Sequence, residues 1–104
     1  MDQYAIVLTG SFGDVLNATP IAAQLKKQSS DNQVHWYVSS RCKGALTNNP
    51  YVDKVIVIEA KDKPSSTIPA TQKALKIAKE KGIYKKICTP APYMRKFWNE
   101  QKHM

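Results

Sequence analysis

In the stretch LTGSFGDVLNATP, residues 8–20, a single carboxylate, Asp14, directly follows a glycine where an apolar run meets a helical pattern. An acid at a strand-to-helix turn has two uses. It can cap the helix, accepting amide hydrogen bonds at the positive end of the helix dipole. Or it can be a general base that takes the proton of a bound hydroxyl. The uses conflict in part, because amide bonds favour the charged carboxylate and lower its basicity. Such a base still serves where the hydroxyl turns acidic only in the transition state, as when an alcohol attacks a sugar carbon. On the residues alone both uses stay open.

Three phosphate chemistries do not fit the same turn. A dinucleotide loop needs Gly-x-Gly-x-x-Gly and an acid at the end of the second strand. Here Gly10 and Gly13 have another spacing, and the second strand ends in Ser39 and Ser40. A P-loop needs Lys followed by Ser or Thr, where this chain has Asp14 and Val15. A magnesium-binding receiver needs an acidic pair at the end of the first strand, and Thr9-Gly10 stands there. What remains is a glycine turn that lets a substrate approach the backbone, with one carboxylate at its mouth.

Cys42 and Cys88 form neither a Cys-x-x-Cys pair nor a zinc pattern, and read as buried free thiols. No metal site is expected. His35 falls inside a strand and reads as packed; His103 lies near the chain end.

The elements that must position Asp14 follow from hydrophobic periodicity. YAIVLT (residues 4–9) is a nearly continuous apolar run, which suits a parallel strand buried on both faces. Val15, Ala18, Ala22 and Leu25, with Leu16 beside them, keep a helical period. Pro20 leaves two starts for that helix, at Thr19 or near Asp14 with Pro20 inside it. VHWYV (34–38) and KVIVIEA (54–60) read as the second and third strands, with a short helix between them closed by Asn-Asn-Pro. A further helix, capped by Ser66 or Thr67, has Ile68, Thr71, Leu75 and Ala78 on one side and stops at Gly82. IYKKICT (83–89) supplies the fourth strand.

This alternation makes an α/β, Rossmann-like three-layer parallel sheet of about four strands with helices on both faces. Ligands in such sheets sit beyond the carboxyl ends of the strands, where strand order reverses. GSFGD falls there.

At 104 residues the chain fits one domain. No apolar run approaches the roughly 20 residues that span a bilayer, and the acid in MDQYAIVLTG is unlike a signal peptide, so a cytoplasmic location is expected. Residues 1–60 are charge-balanced, while residues 61–104 hold eleven basic residues against Asp62, Glu80 and Glu100, the whole net charge of +8. That half either faces an anionic partner or is a solvated lysine face, since Lys73, Lys76 and Lys79 recur every three residues. A non-catalytic basic module that binds anionic lipid or nucleic acid through residues 61–104 is the alternative function. The chain carries no helix-turn-helix, zinc or RNA-binding signature in support of the nucleic-acid version.

In order, the chain shows a strand, Gly-Asp-Val-Leu, Ala-Thr-Pro, a helix ending in Leu-Lys-Lys, a strand with Trp, and Asn-Pro-Tyr-Val-Asp before Val-Ile-Val. Over residues 4–60 this resembles the N-terminal domain of the ADP-heptose:lipopolysaccharide heptosyltransferases, GT-B glycosyltransferases of the family 9 type. The resemblance implies inverting transfer of a sugar from a nucleotide-sugar donor, without a metal, to a lipopolysaccharide-type acceptor. It implies Asp14 as base, with Gly10, Ser11, Phe12 and Gly13 lining the acceptor side. It also implies a helix that begins close to Gly13-Asp14. The donor would bind a second, C-terminal domain that these 104 residues do not include, so residues 1–104 would be an incomplete acceptor-side domain, inactive alone. The family's acceptor, anionic and lipid-linked, lies at the inner membrane. Arg95 and Lys96, beside Tyr93, Phe97 and Trp98, would then suit a peripheral anion or membrane contact.

Overall fold

The computed structural model describes residues 2–10, 12–59 and 67–89. Four strands, β1 (Gln3–Val7), β2 (Gln33–Ser39), β3 (Lys54–Ile58) and β4 (Lys86–Cys88), form one sheet in the order β3-β2-β1-β4. Every pairing is parallel, with Ile6 opposite Trp36, Trp36 opposite Val55, and Ala5 opposite Ile87. The chain moves outward from β1 to β3, then returns past β1 to place β4 on its other side. Strand order therefore reverses at β1.

Helix α1 (Phe12–Gln28) and a short 3-10 helix (Lys43–Leu46) cover one face, and helix α2 (Thr67–Lys81) covers the other. Side chains alternate between these faces because successive strand residues point to opposite sides. Tyr4, Ile6, Leu8, Val34, Trp36 and Val38 meet Val15, Ala18, Ala22 and Leu25 of α1. Ala5, Val7 and Tyr37 meet Ala70, Ala74 and Ala78 of α2. Residues 5–8 are all at most 1% exposed, as a strand sandwiched on both faces requires.

Helix α1 starts at Phe12, which resolves the two starts in favour of the one near Asp14 and places Pro20 inside the helix. Pro20 has no N–H to give to the carbonyl of Leu16, one turn earlier. The Thr19 hydroxyl donates to that carbonyl instead, at 2.8 Å. Thr19-Pro20 is thus a tolerated interruption rather than a helix start. Leu16, on the outer side, is 47% exposed.

The Asn-Asn-Pro turn closes the 3-10 helix as expected. Asn48 adopts a left-handed φ of 60°, which its side chain tolerates, and the Asn49 side-chain oxygen accepts the Tyr51 amide at 2.9 Å. Strand four is shorter than residues 83–89. Gly82, at φ 62°, turns the chain out of α2, and Ile83 stays 45% exposed before the sheet is regained at Lys86. The sheet side of α2 is Ala70, Thr71, Ala74 and Ala78, with Leu75 only half-buried; Lys73, Lys76 and Lys79 are exposed, as a solvated face would be. Both cysteines are free, but only Cys42 is buried; Cys88 is half-buried because β4 edges the sheet among the described residues.

Asp53 closes the end of the sheet opposite the strands' carboxyl ends. Its carboxylate accepts the Val34 amide at 2.7 Å and pairs with Lys26 of α1 at 2.6 Å. Lys26 also donates to the Asn32 carbonyl, and Asn32 donates its amide to the Leu25 carbonyl at 2.8 Å, so the end of α1 is held to β2 and β3 together. Burial pushes the Asp53 carboxyl up, but the Lys26 and Val34 hydrogen bonds with the charges of Lys26 and His35 outweigh it and hold it below the ordinary 3.8. A depressed folded value means that its contribution is complete above pH 3.8 and is lost as pH falls through the folded value. Asp53→Ala strands the Val34 amide and is expected to cost about 1–3 kcal/mol, with Asp53→Asn less harmful because it keeps an acceptor. Urea denaturation at pH 7 measures both.

Candidate active site at the carboxyl end of β1

Gly10 is buried at the exit of β1, and α1 begins two residues later. Asp14 is half-buried in the first helical turn, where the dipole is positive, while Lys26 and Lys27 occupy the last turn, where it is negative. Phe12 is 47% exposed, and its ring lies 3.6 Å from where a Cβ on Gly44 would stand, so it leans over the start of the 3-10 helix. Gly13 is not a turn residue. It lies within the first turn of α1, and a Cβ added there would meet nothing within 4 Å. Its lack of a side chain leaves open space in front of the helix beside Asp14, where a ligand could reach the backbone.

The structure therefore brings Gly10, Phe12, Gly13 and Asp14 together at the reversal of strand order. Ser11, Arg95 and Lys96 lie outside the described residues, as do Tyr93, Phe97, Trp98 and His103. Among the described residues no three His, Cys, Asp or Glu side chains come together to hold a metal, and no helix is long and apolar enough to cross a membrane.

Periodicity did not single out the residues that hold this mouth. Leu8 donates its amide to the Tyr37 carbonyl at 3.2 Å and accepts the Trp36 indole N–H on its own carbonyl at 3.1 Å. Thr9 accepts the Ser39 amide at 3.0 Å, and its hydroxyl lies 2.8 Å from that of Thr71 in α2. A shallow groove of about 480 Å³ lies between α1, at Leu16, Pro20 and Ala23, and the turn after the 3-10 helix, at Pro50 and Tyr51.

His35 belongs to a separate cluster. It faces α2, buried, with Nδ1 2.8 Å from the Tyr84 hydroxyl, which lies 2.9 Å from that of Tyr37. Burial, then the charges of Lys54 and Lys81, lower its pKa from 6.5 against the opposing pull of Asp53. Burial and the Tyr37 hydroxyl push the Tyr84 phenol up. A lowered folded value means that the fold prefers neutral His35, so stability is full above pH 6.5 and declines as pH falls from there through the folded value. Melting temperatures between pH 7.5 and 5.5 are expected to fall more in the wild type than in His35→Gln.

No protein-family model matches the chain. Over 61 residues it is 32% identical to lipopolysaccharide heptosyltransferase 1 of Campylobacter coli, a match covering 59% of this chain and 18% of that protein. The crystal structure of a glycosyl transferase family 9 protein from Veillonella parvula superposes on 88% of this chain and 27% of that one, with a TM-score of 0.65 at 20% identity. The chain is thus similar to a lipopolysaccharide heptosyltransferase over part of its length, and it shares the fold of a glycosyl transferase family 9 protein. It spans about a fifth to a quarter of the length of these two relatives. In this chain Gly13-Asp14 stands where β1 hands over to α1.

Proposed function

We propose that this domain is the acceptor-side half of a GT-B sugar transferase that moves a sugar, with inversion, from a nucleotide-sugar donor to a lipopolysaccharide-type acceptor. The observation that carries this reading is the half-buried carboxylate of Asp14 in the first turn of α1, beside the open space at Gly13. In the reaction the acceptor hydroxyl sits against Gly10, Phe12 and Gly13, and its proton passes to the Asp14 carboxylate as its oxygen bonds to the anomeric carbon. The bond to the nucleotide diphosphate breaks on the opposite side, which inverts the centre. A carboxylate suffices as the base because the hydroxyl acidifies as its bond to carbon forms. The donor half lies in a second domain, and the acceptor is presented at the cytoplasmic side of the inner membrane, with Arg95 and Lys96 as peripheral contacts.

The test is a titration of the ¹⁵N-labelled chain with an inner-core lipopolysaccharide oligosaccharide stripped of acyl chains. Amide shifts are expected at Gly10, Phe12, Gly13 and Asp14. Shifts confined to residues 61–104, falling steeply with salt, would instead favour the basic-module reading.

A further inference from the structure

Helix α2 turns small apolar residues toward the sheet, Ala70, Ala74 and Ala78, and one hydroxyl among them, that of Thr71. Thr71 is 4% exposed, and its partner Thr9 is fully buried. Two valines would fill the same space by packing alone. Apolar contact has no preferred direction, whereas a hydrogen bond fixes both distance and angle. Thr9 is the last residue before Gly10. Gly10 has no side chain to stiffen the exit of β1 before α1 opens at Phe12. Its direction has to come from its flanks. On one flank β2 holds Thr9 and Leu8 through Ser39 and Trp36; on the other, α2 holds Thr9 through Thr71.

We propose that Thr71 is a positioning residue: through the Thr9 hydroxyl it sets the direction in which β1 delivers the chain to Gly10, and so the placement of Asp14. This rests on the proposed role of Asp14 for its catalytic consequence, but not for its structural one. A base must lie within hydrogen-bond reach of the proton it takes, and a misplacement of about 1 Å can cost about 100-fold in rate.

Three variants test it: Thr71→Val, Thr71→Ser, and the pair Thr9→Val with Thr71→Val. Amide hydrogen exchange in the 104-residue chain is read at Val15 and Leu16, at the start of α1, against Ala22 and Leu25 further along. Thr71→Val is expected to speed exchange at Val15 and Leu16 about tenfold relative to Ala22, by favouring local opening of that end. Thr71→Ser, which keeps the hydroxyl, restores wild-type exchange. The double variant, which removes both hydroxyls, stays loose at Val15 and Leu16. Wild-type exchange in Thr71→Val, or protection that returns in the double variant, overturns the proposal.

The kinetic readout joins the chain to the donor-binding half of a family 9 glycosyltransferase. There Thr71→Val is expected to lower kcat about tenfold with acceptor KM changed less than about twofold. If exchange loosens while Asp14→Asn stays fully active, the positioning stands and the base assignment falls. If Asp14→Asn abolishes turnover while Thr71→Val leaves exchange and kcat unchanged, the positioning falls and the base assignment stands.

Discussion

Asp14→Asn is expected to lower turnover by about 10²- to 10⁴-fold in the joined enzyme, the contribution typical of a positioned general base. Asparagine has nearly the same shape and keeps an oxygen that can accept amide hydrogen bonds, so acceptor binding should change little. The loss should therefore fall on kcat and not on KM. The competing role for Asp14, a charge at the helix N-terminus, predicts something else. Removing that charge costs about 0.3–1 kcal/mol of stability and leaves turnover alone. Measured together, melting temperature and kcat separate the two roles, and a wild-type kcat removes Asp14 from the chemistry. Asp14→Glu adds a second contrast. It keeps the charge but moves the carboxylate by one methylene, so a capping role tolerates it and a base role does not.

Trp36→Ala is expected to cost about 3–5 kcal/mol, the range for deleting a fully buried aromatic side chain. Trp36 of β2 is completely buried between the sheet and α1, and its indole N–H donates to the Leu8 carbonyl. Domains of this size have about 5–15 kcal/mol in total, so this change leaves the fold marginal. Trp36→Phe keeps most of the packing but strands the Leu8 carbonyl, at an expected cost of about 1–3 kcal/mol. Urea denaturation with an unchanged slope checks both. A loss in Trp36→Phe comparable to that in Trp36→Ala would mean that the hydrogen bond, not the ring volume, dominates at this position.

Much of this was legible in the order of residues. The α1 core face, Val15, Ala18, Ala22 and Leu25, is what the 3.6-residue period indicated, and the double burial of β1 is what an unbroken apolar run indicated. Period is read locally, and these elements are governed by local period. Periodicity and capping left the helix start open between Thr19 and Asp14, whereas the resemblance pointed to Gly13-Asp14; the structure starts α1 at Phe12, and the Thr19 hydroxyl replaces the donor that Pro20 lacks. Ser39, Trp36 and Thr71 as anchors of the mouth were hidden. Their partners are Thr9 and Leu8, separated from them by 28 to 62 positions, and no spacing rule links residues so far apart. His35 read as a packed strand residue and Asp53 as the end of Asn-Pro-Tyr-Val-Asp; the sheet register sets His35 against Lys54, and the fold closes Asp53 onto Lys26.

The sequence by itself determined the alternation of strands and helices, hence a parallel sheet with a mouth after its first strand, because hydrophobic period and turn chemistry act over a few residues. Only the tertiary structure decided which side of β1 receives β4, and which distant hydroxyl and indole hold the end of β1. Those depend on directional contacts between elements that meet only when the chain has closed into a sheet.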